Sequence, residues 1–171
     1  MIVLEGMDNS GKSTLAQLFE LEVVHPGPAP KSTEEELNCL KDQNLLAGAN
    51  NIVHDRVTCI SSQVYKNKVF DPRYMSYLRS MQAAPGCVIV YCRPPDDLVL
   101  DFNNHKRKDY DTDEAIQLLA DNATQYLRSY DRLMYNVPHL LYNYTISNNI
   151  VEQAKSLLTD IQRWNKWASI H

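Results

Sequence analysis

Four short β-rich runs, Ile2–Glu5, Glu22–His25, Asn51–Asp55 and Cys87–Arg93, punctuate the chain, and Leu140–Ile146 supplies a fifth. Val88-Ile89-Val90-Tyr91 is apolar without alternation, the pattern of a strand covered on both faces in a parallel sheet. Between these runs, helical spacing covers Lys12–Leu21, Thr33–Ala47, Thr58–Lys66, Arg73–Ala83, Pro95–Asn104, Asp113–Tyr135 and Asn149–Ala168. Strands that alternate with helices predict an α/β fold with helices on both sides of one sheet.

Local signals support these elements. Ser32 with Glu35 reads as a capping box, Pro95 suits a first helical position before Asp96 and Asp97, and Asp111-Thr112-Asp113-Glu114 puts acid near a helix N-terminus. His25-Pro26-Gly27-Pro28-Ala29-Pro30 is too short for a domain linker and reads as a rigid loop after the second strand. No segment recurs at a fixed period, so one domain over residues 1–171 is expected.

Composition narrows the setting. A net charge of −4 gives no global attraction to nucleic acid or an anionic membrane, so any anion-binding cations must be concentrated locally. Cys39, Cys59, Cys87 and Cys92 form no CxxC pair and read as reduced, mostly buried thiols. Glu5 ends the N-terminal apolar run after four residues, short of a signal-peptide core or membrane span. A cytoplasmic location without membrane partners is the expectation.

Gly6-Met7-Asp8-Asn9-Ser10-Gly11-Lys12-Ser13 satisfies G-x-x-x-x-G-K-[ST], between a strand-like run and an amphipathic helical pattern. The glycines let successive N–H groups turn toward one anion, and the following helix points its positive end at the same place. Gly6, Asn9, Ser10, Gly11, Lys12, Ser13 and Thr14 are therefore expected to bind ATP. Lys12 would reach the β/γ-phosphate oxygens, and the Ser13 hydroxyl would join a Mg²⁺ shell.

The motif alone establishes nucleotide binding only. At the end of the third strand Asp55 can hold Mg²⁺ through water, and Arg56 can grip an acceptor phosphate in a fork geometry. An acid beside an arginine there suits transfer between two anions.

Leu4-Glu5-Gly6-Met7-Asp8-Asn9-Ser10-Gly11-Lys12-Ser13-Thr14 resembles the thymidylate kinase signature, and Asp55-Arg56 through Ser61-Ser62 and Tyr65 resembles its second motif. The spacing is most similar to the small thymidylate-kinase-like proteins of bacteriophages, which would place the protein in a host cytoplasm. The resemblance implies a three-layer P-loop kinase fold with a five-stranded parallel sheet in the order 2-3-1-4-5. It implies that Asp8 contacts the acceptor's 3′-hydroxyl or the Mg²⁺ shell, Arg56 its 5′-phosphate, and Tyr65 its sugar or base. It implies a mobile lid at about 103–112, where Arg107 in His105-Lys106-Arg107-Lys108 would close over the transferring phosphoryl group.

Two acceptor chemistries remain open. A deoxynucleoside kinase must activate a neutral 5′-hydroxyl and benefits from a general base, commonly a Glu before the proline after the second strand. His25-Pro26 stands here instead, which favours a monophosphate, already largely ionised with a second pKa of about 6. His25 can itself accept a proton, or contact the acceptor phosphate. The departure from the family's Arg-Glu-Pro-Gly-Gly-Thr leaves the base open, with Asn38, Gln43 and Gln63 as candidate readers. A kinase acting on a modified base or strand end in DNA would need an electropositive groove, for which only the cluster near Lys106 is available.

Arg93 can contact ATP or form a strand-end ion pair. Tyr126, Tyr130 and Tyr135 read as core or interface residues, and Trp164 and Trp167 as sheet cover or a homodimer surface.

Overall fold

The structure, a computed structural model, describes residues 1–8, 10–25, 29–49, 51–96, 112–143 and 149–168. Its strands are β1 (Ile2–Glu5), β2 (Glu22–Val24), β3 (Ile52–Asp55), β4 (Val88–Arg93) and β5 (Leu140–Asn143). Its helices are α1 (Lys12–Leu18), α2 (Thr33–Leu46), α3 (Thr58–Tyr65), α4 (Pro72–Ala83), α5 (Asp113–Met134) and α6 (Ile150–Ala168). The strands form one all-parallel sheet in the order β2-β3-β1-β4-β5. No described helix is long and apolar enough to cross a membrane.

The sheet has a core on each face. Ile2, Leu4, Val88 and Val90 pack with Leu15, Phe19, Leu157 and Ile161, which places α1 and α6 on one side. Val3, Ile89 and Tyr91 pack with Leu40, Ile60, Leu78 and Tyr130, which places α2, α3, α4 and α5 on the other. Successive residues of β1 thus alternate between two buried faces, the physical reason its sequence shows no polar side.

Several boundaries shift. α1 stops at Leu18 instead of Leu21, and β2 ends at Val24, one residue before His25. α4 begins one residue earlier than expected, at Pro72, because the Asp71 carboxylate caps the Arg73 amide at 2.9 Å and proline fits the first turn. Ser32 Oγ accepts from the Glu35 amide at 3.1 Å, but the Glu35 carboxylate returns to the Lys31 amide at 2.7 Å, one residue before the cap. The expected Pro95–Asn104 helix and the lid at about 103–112 fall almost wholly outside the described residues.

Register brings the chemistry together. Leu4 lies opposite both Asp55 and Val90, so β1 and β3 end side by side in the middle of the sheet. Val24 lies opposite His54, which sets His25 beside Asp55.

Candidate functional site

The loop after β1 is shaped by two glycines. Gly6 has φ +148°, and a Cβ there would stand 2.3 Å from the Cys92 carbonyl oxygen. Gly11 is left-handed at φ 81° and forms the N-cap of α1. Both positions disfavour a side chain, and together they wrap the backbone around the first turn of the helix.

Lys12 is buried at the centre of this loop. Its Nζ donates to the Gly6 carbonyl at 3.0 Å, the Met7 carbonyl at 2.7 Å and Ser10 Oγ at 3.2 Å. Burial, and then the Arg56 charge, lower its pKa to about 8, against the pull of Asp8 and Asp55. Ser13 and Thr14 are exposed on the first turn of α1, while Ser10 is fully buried. Asn9 lies outside the described residues.

Arg56 follows β3 with a left-handed backbone at φ 75°. For a residue of this bulk that conformation costs about 1–3 kcal/mol, so surrounding contacts must impose it. Its amide donates to the Leu4 carbonyl at 2.9 Å. Its Nη2 donates to Asp8 Oδ1 at 2.8 Å, the Tyr65 hydroxyl at 3.1 Å and the Gly6 carbonyl at 3.4 Å. The guanidinium also lies over the Tyr65 ring, 5.3 Å from its centroid. Burial works against its charge, but Tyr65, Tyr130, Asp8 and Glu5 outweigh that and raise its pKa.

Asp8 receives a second bond, from the Tyr65 hydroxyl at 3.1 Å. Burial pushes its carboxyl up, yet Arg56 and Lys12 together hold it below its ordinary value. Asp8, Arg56 and Tyr65 thus form one polar triangle against the loop between β1 and α1.

Asp55 and His25 form a second group, with His25 Nδ1 3.6 Å from Asp55 Oδ2. Asp55 Oδ1 is buried with no hydrogen-bond partner among the described residues. That orphaned oxygen and the exposed Ser13 hydroxyl are donors of the chemical kind magnesium takes, an ion that uses few protein ligands and shares the rest with phosphates and water.

Lys12, Asp8, Tyr65 and Arg56 are therefore brought together, with Asp55 and His25 adjoining. Arg107 lies outside the described residues. Arg93 does not reach the loop. Its Nε and Nη2 pair with Asp131 at 2.9 and 3.0 Å, and Asp96 adds a contact at 2.8 Å, so it is a strand-end ion pair.

Two of the three candidate base readers are engaged elsewhere. Gln43 is buried with Oε1 accepting from the Thr58 amide at 2.7 Å, and Gln63 is buried with Oε1 accepting from the Phe70 amide at 2.8 Å. Both serve backbone groups that secondary structure leaves unpaired. Asn38 is exposed on α2.

Two buried carboxylates escaped the sequence reading. Glu36 of α2 accepts from Ser62 and Tyr74, each at 2.8 Å, and from Lys66 at 2.5 Å, tying α2 to α3 and α4. Burial pushes its pKa up, but these donors hold it below its ordinary value. Glu5 is fully buried, accepting from the Val57 amide and, at 3.2 Å, from the Tyr130 hydroxyl. Burial raises its pKa to about 7, against the Val57 amide, Arg56 and Lys12. The available signal was an acid ending an otherwise apolar strand.

Among solved structures, the chain is similar over 94% of its length to 95% of YorR from Bacillus subtilis, crystallised in complex with phosphorylated GDP, with a TM-score of 0.67 at 20% identity. The likeness is one of fold: a five-stranded parallel sheet in the order 2-3-1-4-5 with helices on both faces. Deoxyadenosine kinase from M. mycoides with bound dCTP is a more distant likeness, at TM-score 0.47 and 14% identity over 95% of this chain and 100% of that one. No protein-family model matches the chain, and no curated protein matches it in sequence.

Proposed function

We propose that the protein transfers the γ-phosphoryl group of ATP to the 5′-phosphate of a deoxynucleoside monophosphate, dTMP or a related and modified nucleotide. The observation that carries this reading is the placement of Arg56, whose guanidinium is held by Asp8 and Tyr65 directly beside the loop that buries Lys12. A cation for each of two anionic partners, with only a short gap between them, is what transfer between phosphates requires.

In this reading Lys12 and the loop amides hold the donor's β- and γ-phosphates, exchanging the Gly6 and Met7 carbonyls for phosphate oxygens. Arg56 takes the acceptor phosphate, Asp8 and Tyr65 meet its sugar, and Arg107 closes from the lid. Magnesium, held by Ser13 and Asp55, would supply charge neutralisation between the donor phosphates. The complex of YorR with phosphorylated GDP adds guanine to the bases worth testing.

A second reading is supported by the approach of His25 to Asp55 at 3.6 Å. A carboxylate beside the imidazole Nδ1 orients the ring as a general base, which suits a deoxynucleoside's 5′-hydroxyl.

ADP release from ATP and Mg²⁺, followed with a panel of deoxynucleosides, their 5′-monophosphates including dTMP and dGMP, and a modified-base DNA duplex, tests both. Stimulation by one monophosphate, retained in His25→Asn, supports the first reading. Response to a nucleoside alone, lost in His25→Asn, replaces it with the second. Response to the duplex alone overturns both acceptors.

A further inference from the structure

We infer that Glu5 is a positioning residue for Arg56: its buried carboxylate, acting through the Val57 amide, holds the left-handed Arg56 backbone against β1 and keeps the guanidinium beside the phosphate-binding loop. The catalytic consequence rests on the acceptor-phosphate role of Arg56 proposed above, whereas the geometric part stands independently.

Arg56 is fixed from both sides by the same strand. Its own amide is bound by the Leu4 carbonyl at 2.9 Å, and the next amide, that of Val57, is bound by Glu5 Oε1. These two anchors are consecutive residues of β1. They bracket the peptide whose φ of 75° a large side chain adopts only under constraint. Val57 is also the N-cap of α3 and makes no side-chain capping bond, so the Glu5 oxygen supplies an acceptor at a helix start that lacks one of its own.

The guanidinium closes the same loop of contacts. Its partners Gly6 and Asp8 lie one and three residues after Glu5, and Tyr65 is the last residue of the helix that Val57 begins. Glu5 therefore ties the donor loop and the acceptor arginine into one unit. Its other oxygen is held by Tyr130 of α5, which prevents the carboxylate from rotating away.

The surroundings favour this role over simple packing. Lys12 from α1 and Arg56 from beyond β3 are the cations that act on Glu5, and Tyr130 donates to it from α5. Cys59 from α3, Cys92 from β4 and Tyr65 feel its charge and are themselves kept protonated by burial. Packing alone would be met by an apolar residue. A fully buried carboxylate is retained at the cost of desolvation, and its bonds go to the segment that carries Arg56.

Glu5→Gln keeps the size and one carbonyl acceptor while removing the charge, and Tyr130→Phe removes only the second anchor. Glu5→Leu, which leaves the Val57 amide without its acceptor, is expected to raise hydrogen exchange at the Val57 and Arg56 amides relative to the rest of the sheet. Glu5→Gln should lower acceptor kcat/KM by about tenfold or more while ATP affinity, measured directly, changes by less than about twofold. Tyr130→Phe should act in the same direction with a smaller effect. In an Arg56→Ala background, Glu5→Gln should have no further effect on the acceptor, because both changes remove the same interaction.

Unchanged exchange at Val57 and Arg56 in Glu5→Leu would overturn the positioning role whatever the activity. Additive losses in the double variant, or equal losses of ATP and acceptor binding, would reduce Glu5 to a general structural residue and overturn it too. If the wild-type protein phosphorylates no monophosphate, the acceptor reading fails, and the exchange experiment still decides whether Glu5 holds Arg56.

Discussion

Arg56 Nη2 and Asp8 Oδ1 lie 2.8 Å apart although 48 residues separate them in the chain. Asp8 belongs to the loop proposed to bind the donor and Arg56 is proposed to bind the acceptor, so one charge-assisted bond would join the two halves of the proposed reaction. The pairing neutralises much of the arginine's charge at rest. An acceptor phosphate would compete with Asp8 for the guanidinium, leaving the carboxylate free to turn toward the sugar.

Lys12→Ala is expected to reduce turnover by at least about a thousandfold, since it removes the only described cation inside the loop. Circular dichroism should show a folded protein. Near-normal steady-state rates would place donor binding elsewhere.

The Lys12 ammonium also predicts a pH dependence. Its folded pKa is depressed to about 8, so in the free protein its charge is lost as pH rises through that value. Affinity for ATP, titrated directly between pH 7 and 9, should fall across this range. Lys12→Arg, which stays charged, should flatten the fall whatever affinity it retains.

Arg56→Ala should lower acceptor kcat/KM by about a hundredfold, the consequence of losing a charged hydrogen bond of ~3 kcal/mol. ATP affinity should change little. Steady-state kinetics with either substrate varied separates these effects, and unchanged acceptor kinetics would remove Arg56 from the site.

Glu5 predicts a stability profile. Its folded pKa is raised to about 7 from an ordinary value of 4.5, so the folded state holds the proton more tightly than the unfolded state between those values. The stabilisation this gives is complete below about pH 4.5 and is lost as pH rises through 7. Urea unfolding of wild type against Glu5→Gln from pH 5 to 8 should show the wild type losing more stability over that window.

Gly6→Ala should destabilise the fold by roughly 2–6 kcal/mol, the sum of a strained backbone and an overpacked contact. The added methyl would meet the Cys92 carbonyl oxygen at 2.3 Å, and rigid β4 backbone cannot retreat. A variant with wild-type melting behaviour would show that the loop can relax.

The β1–loop–α1 unit was legible because its signals are contiguous. An apolar run, two glycines that permit unusual backbone angles and a helix starting at Lys12 all lie within residues 2–18. Asp55 and Arg56 were readable for a similar reason, as an acid and an arginine ending a strand. Arg93, Gln43 and Gln63 were misread or left open because nothing near them in sequence shows what they touch. Asp131 stands 38 residues from Arg93, and the backbone amides that the glutamines satisfy lie on other segments.

What the amino-acid sequence determined by itself was the α/β alternation and the glycine-bounded loop between β1 and α1, since each follows from short-range periodicity and local backbone geometry. Tertiary structure alone decided which groups converge. Glu5 meets Tyr130 across 125 residues, and Glu36 gathers donors from α3 and α4, because burying a carboxylate is tolerable only where distant elements bring hydrogen-bond donors to it. That convergence depends on parallel strand register and helix packing, which no local pattern encodes.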